Sequence, residues 1–177
     1  MARADVAARQ LLDRVGWTEP PVDPARIAAE YLSVVIAEVA MSPDMSGMLV
    51  REPDRVVIGV NDDHSPARQR FTVAHELGHL HLHRGRPTII DSDVRMNFRD
   101  EVSSMATDRE EIEANRFAAA LLMPDHMVRS WVSRESFQTA QELVERLAKS
   151  FGVSRPAMNF RLVNLGLIPT PVDLGQD

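Results

Sequence analysis

The chain has 177 residues, a formal net charge of -6 and no cysteine, with 44% hydrophobic and 26% charged residues. That length suits one compact domain with a real core, and the absence of cysteine excludes disulfides, thiolate metal sites and thiol nucleophiles, leaving histidine and carboxylate to hold any metal. The acidic balance disfavours nucleic acid as the main partner, because phosphate contact needs a basic footprint. Charges interrupt the apolar residues among the first ten, and no stretch reaches the ~18 apolar residues of a membrane span, so the expectation is a cytoplasmic protein with no membrane partner.

Helical spacing of Val6, Leu11, Leu12 and Val15 predicts a first helix over about 4–15 that stops near Gly16. Asp23-Pro24 offers an N-cap and a first-turn proline for a second helix carrying Ile27, Ala28 and Tyr31. Three β-type runs follow at 33–39, 46–50 and 55–60, separated by the turn sequences Met41-Ser42-Pro43-Asp44 and Arg51-Glu52-Pro53-Asp54. They are expected to form a small antiparallel meander, with residues 56–60 as an edge strand able to pair with an extended peptide.

Ser65-Pro66 opens a third helix that should run through Phe71 and Val73 to about His83, before Gly85 and Pro87. Residues 84–105 are polar without sustained periodicity and read as a long excursion with room for a short strand; loops of that length are often functional. Thr107-Asp108-Arg109-Glu110 has the form of a capping box, predicting a helix from Thr107 through Met123, with Pro124 discouraging continuation. A short helix is expected around 127–132. Thr139 to Glu142 is a second capping box for a helix to Ser150, Gly152 makes the turn, and Ser154 caps a last helix through Leu165.

The last two helices read as a helix-turn-helix. Residues 141–165 hold four basic and two acidic side chains, thin for phosphate binding. The preferred reading is a module that packs on the rest and helps present or recognise a protein partner, direct DNA contact being the lesser alternative. The expected fold class is therefore α+β: a small antiparallel three-stranded sheet on an active-site helix, followed by a helical, helix-turn-helix-like C-terminal part. The expected division is 1–125 and 126–177, packed as one unit.

The third helix carries His75-Glu76-Leu77-Gly78-His79, an H-E-x-x-H pattern. Residues four apart lie one turn apart on one helix face, so two imidazoles can reach one zinc ion. Glu76 lies about 100° round the helix from His75, where it can act as the base on a water. In a shuffled chain of this composition the pattern arises about once in 70, so context must support it. A tetrahedral catalytic site needs a third protein ligand. A third histidine in the same motif is absent, since the relevant positions are Leu82 and Gly85.

The helix predicted from Thr107 offers Glu110, Glu111 and Glu113. Glu111 shares a face with Ala114, Asn115, Ala118 and Leu122, the side expected to pack inward. It is the first choice, with Glu113 second and Glu110 third. Asn115 is placed to accept a hydrogen bond from the outer nitrogen of a ligating histidine. His83 is expected to satisfy a helix end or core carbonyl rather than bind metal. His81 is expected at the surface and His64 in a loop.

The runs Arg70-Phe71-Thr72-Val73-Ala74-His75-Glu76-Leu77-Gly78-His79 and Glu111-Ile112-Glu113-Ala114-Asn115-Arg116-Phe117-Ala118-Ala119-Ala120-Leu121-Leu122-Met123-Pro124, with His83 between them, resemble the ImmA/IrrE-type metallopeptidases over about residues 25–165. The resemblance implies a zinc endopeptidase related to the thermolysin-like group, with His75, His79 and Glu111 on zinc and Glu76 as catalytic base. It also implies a helix-turn-helix repressor as substrate, whose cleavage relieves repression. An oxyanion stabiliser is expected from Arg95, Arg99, His126 or Tyr31, with Arg99 preferred. The rival from another class is a non-proteolytic regulator that binds a partner protein or DNA around a structural metal; Glu76 argues against it, because a structural site needs no base.

Overall fold

The computed structural model describes residues 2–83, 88–92 and 101–175, and only the backbone over 88–92 and 101–107. Helix α1 (Arg3–Val15) ends where Gly16 turns left-handed at φ 69, a conformation that suits glycine. Helix α2 (Pro24–Leu32) is capped by Asp23, whose side chain accepts from the Arg26 N–H. Strands β1 (Val34–Val39), β2 (Met45–Arg51) and β3 (Val56–Asn61) lead to helix α3 (Pro66–Leu82), capped by Ser65. Strand β4 (Thr88–Ser92) lies within the long excursion. Helices α4 (Glu101–Leu122), α5 (Asp125–Arg134), α6 (Ala140–Phe151) and α7 (Arg155–Asn164) complete the chain, with Thr139 and Ser154 capping α6 and α7.

The α+β class is as expected, but the strands pair differently. The sheet is mixed and four-stranded, in the order β1-β3-β2-β4. Strand β3 pairs with β1 in parallel, Ile36 beside Ile58, and with β2 antiparallel, Leu49 beside Ile58. Strand β4 joins β2 antiparallel, Leu49 beside Ile89. Two expectations are thus corrected: the sheet is not an antiparallel meander, and residues 56–60 form an interior strand rather than an edge. The reason lies in composition. Strand β3 is nearly all apolar and is buried over Ile58 to Asn61, so it takes the centre, whereas β1 leaves Val35 and Val39 exposed and suits an edge. Buried Asn61 secures the end of β3 by donating from Nδ2 to the carbonyls of Ser42 and Met45.

The start of α4 also differs from expectation. The helix begins at Glu101, so Thr107 is an interior residue and not a cap. A capping box needs an extended N-cap backbone, and nothing in Glu101 to Ala106 interrupts a helix.

One apolar cluster runs from Ala4 of α1 to Ile168 beyond α7, through Ile58, Leu77, Phe117, Leu121, Leu147 and Phe151. Polar ties reinforce it. Arg70 donates to the carbonyls of Val22 and Phe151, at 2.6 and 3.4 Å, and buried Arg161 of α7 donates to the carbonyl of Met123 at 2.9 Å. Among the described residues no helix is long and apolar enough to cross a membrane.

Candidate metal centre

Helices α3 and α4 pack so closely that a Cβ on Gly78 would meet the Ala114 backbone. This contact brings the inward face of α4 onto the motif. His75 Nε2 and His79 Nε2 lie 3.0 Å apart, Glu111 Oε2 is 3.2 Å from His75 Nε2, and Glu111 Oε1 is 3.2 Å from His79 Nε2. The three residues form a group whose donor atoms fall within 4.8 Å of one another. Tetrahedral ligation at about 2.0–2.1 Å separates neighbouring donors by about 3.3 Å, so this triangle has the size and donor chemistry for one ion.

The electrostatics suit that task. Burial is the largest influence on Glu111 and opposes its ionisation, but hydrogen bonds and charge interactions with His75 and His79 outweigh it and hold the carboxyl well below its usual range. Burial pushes the His79 pKa down, so its ring favours the neutral form that a metal ligand requires. Asn115 Oδ1 lies 3.0 Å from His75 Nδ1; by accepting a hydrogen bond from Nδ1–H it would leave Nε2 available to a metal ion.

Glu76, the residue after the first of these histidines, is completely buried. It lies against β2 at Gly47, where an added Cβ would be 3.7 Å from Glu76 Oε1 and 2.4 Å from Thr72 Cγ2. Burial lowers the pKa of the Arg51 guanidinium, and the charge of Glu76 opposes that shift only in part. Arg51 in turn donates to the carbonyls of His79 and His83, both at 3.1 Å, closing the end of α3.

The other candidates fall elsewhere. His83 is buried and stands outside the three-donor group, with Nδ1 3.0 Å from His79 Nδ1 and Nε2 3.2 Å from Glu113 Oε2. Glu113, the second-choice ligand, therefore faces His83, and Glu110 is not in the group. His81 is half-buried rather than exposed: its ring stacks on Phe117 and its Nδ1 donates to the Leu77 carbonyl. His64 lies in the turn before α3, as expected. Arg95 and Arg99 lie outside the described residues. Tyr31 is 48% exposed on α2, and His126 lines a cavity of about 690 Å³ that Asn115 borders. Sequence reasoning missed the Arg51 clasp and the His83–Glu113 contact. The four-residue spacing of His75, His79 and His83 was its only local signal.

Residues 29–163 match the peptidase family described as the IrrE N-terminal-like domain. The chain is 30% identical over 119 residues to the radiation response metalloprotease IrrE of Deinococcus radiodurans, covering 67% of this chain and 34% of that protein. Identity to the Deinococcus deserti protein of that name is 31% over 112 residues, 63% of this chain and 37% of the relative. An uncharacterized immunity region protein 2 of Bacillus phage phi105 is 28% identical over 107 residues, 60% of this chain and 63% of its own length. The chain thus matches less than two thirds of each of these relatives. A solved Mycobacterium tuberculosis transcriptional regulator shares the fold, with a TM-score of 0.57 at 19% identity over 90% of this chain and 46% of that one. The family match takes in the whole of α3 and α4, with the three converging donors, and the chain belongs to the IrrE N-terminal-like family of metallopeptidases.

Proposed function

We propose that this protein is a cytoplasmic zinc-dependent endopeptidase that cleaves one specific protein, a helix-turn-helix transcriptional repressor, and so relieves repression. The observation that carries the reading is the convergence of His75, His79 and Glu111 into one donor group, with the buried Glu76 next to His75 in the sequence. Two imidazoles and one carboxylate suit zinc. Zinc held by these three residues would acidify a water and polarise the scissile carbonyl. Glu76 takes the proton of the attacking water and returns it to the departing amine. Asn115 holds the His75 ring in its ligating tautomer, and Arg51 fixes the backbone of the helix end that carries His79.

The substrate assignment draws support from relatives named for a phage immunity region and for a radiation response, settings that suit a switch on gene expression. We take residues 126–177 as a module packed on residues 1–125 as one unit, a reading supported by their shared apolar cluster. Direct DNA contact by this module is the weaker reading. Arg146 pairs with Glu135 and Glu142, Arg155 with Glu145, and Arg161 is committed to the Met123 carbonyl.

The test combines metal analysis with incubation of the purified protein and the repressor encoded beside it. Glu76→Gln should retain zinc and lose roughly 10²–10⁴-fold in cleavage rate, whereas His75→Ala should lose the metal. Equal cleavage by wild type and Glu76→Gln would sink the mechanism.

A further inference from the structure

His75, His79 and His83 stand one turn apart along α3 and its C-cap, with successive ring centroids 4.7 and 5.0 Å apart. The first pair turn Nε2 towards each other, on the face that meets Glu111; the second pair turn Nδ1 towards each other at 3.0 Å. A histidine that gives Nε2 to a metal carries its hydrogen on Nδ1, so His79 must be the donor and His83 Nδ1 the acceptor. His83 then carries its own hydrogen on Nε2, and that atom lies 3.2 Å from Glu113 Oε2. The polarity of the whole chain, from His79 through His83 to Glu113, follows from this one requirement.

The surroundings hold the chain in place. His83 is 7% exposed, which limits competition from water. Glu113 is anchored by Arg109 Nε at 3.3 Å and approached by Arg3 Nη1 at 3.8 Å. Arg51 Nη2 donates to the backbone carbonyls of both His79 and His83, tying down the end of α3 that carries the two rings. The two candidate ligands are therefore backed differently: His75 by the neutral amide of Asn115, and His79 by an imidazole that itself rests on a carboxylate.

We infer that His83 and Glu113 are positioning residues that fix the Nε2-ligating tautomer of His79 and thereby set the affinity of the metal centre. This inference rests on the metal site proposed above. Outer partners of this kind orient a ligand ring and raise its basicity, and their loss typically weakens metal binding about 10–100-fold.

The experiment uses the full chain and two readouts other than proteolysis: zinc affinity by chelator competition, and the His79 tautomer by long-range proton–nitrogen NMR of the metal-free chain. His83→Leu should weaken zinc about 10–100-fold and abolish the defined Nδ1–H state of His79. His83→Gln, whose side-chain oxygen can accept the same proton, should restore most of both, and Glu113→Gln should fall between. Wild-type affinity and an unchanged His79 tautomer in His83→Leu would overturn the inference, as would equal losses in the Leu and Gln variants. If His83→Leu does not fold, unchanged affinity and tautomer in Glu113→Gln overturn it. A wild-type chain that takes up no zinc defeats the metal reading itself, and the metal-free His79 tautomer still decides whether the network is real.

Discussion

Gly78 of α3 and Ala114 of α4 meet backbone to backbone: a Cβ on the glycine would lie 3.0 Å from Ala114 Cα and 3.1 Å from its carbonyl oxygen. Ala114 is one turn from Glu111, and Gly78 directly precedes His79. The glycine therefore controls how near the carboxylate comes to the histidines. Gly78→Ala gains about 0.5–1 kcal/mol of helix propensity, but the clash with rigid backbone costs about 1–3 kcal/mol. The expected result is a net loss of stability of order 1 kcal/mol and a larger proportional loss of metal affinity, because α4 must retreat. Thermal unfolding with parallel zinc titration checks this; unchanged zinc affinity would show that the close approach is not what seats Glu111.

Removing metal should destabilise the protein in a concentration-dependent way. A ligand that binds only the folded chain at 100 times its dissociation constant adds about 2.7 kcal/mol. For a chain of this size that corresponds to a shift of about 5–10 °C in Tm. Thermal scans with zinc or with a chelator measure it, and Glu111→Gln should show little of the shift. Identical melting curves with and without zinc in the wild type would count against the site.

The metal-free protein should lose stability on acidification in two windows. His79 has a folded pKa below the ordinary 6.5, chiefly through burial, so the unfolded chain takes up the proton first and stability declines as pH falls below about 6.5. Glu111 is held below the ordinary 4.5 by His75 and His79 against the opposing effect of burial, so a second decline begins below about 4.5. Both contributions are fully present at neutral pH. Urea unfolding between pH 8 and pH 4 in the presence of chelator should show stability rising with pH from the onset of the lower window through the whole of the upper one, with His79→Gln flattening the upper one. A stability maximum near pH 5 would contradict this assignment.

Much of the helical architecture is written locally. Asp23, Ser65, Thr139 and Ser154 cap the helices they were expected to cap, and Gly16 and Gly152 end theirs in left-handed turns. These signals lie within a few residues of the backbone groups they satisfy, so no tertiary information is needed to read them. Helical periodicity likewise selected Glu111 as the acid facing α3 and Asn115 as a partner for a histidine, because a helix face is a local property.

Pairings across the chain were decided only in the folded state. The apolar run of β3 makes it fit to be buried, but its place between β1 and β2 depends on which run can best bury both flanks, a comparison over the whole sheet. The start of α4 at Glu101 likewise overrides the cap-like Thr107. The His83–Glu113 contact joins residues 30 apart in sequence and exists only because Gly78 lets α4 lie against α3. Helix faces and most helix ends are local properties and can be read along the chain, whereas how close two faces come is a property of the packed fold, because that distance is set by side-chain volumes contributed from distant parts of the chain.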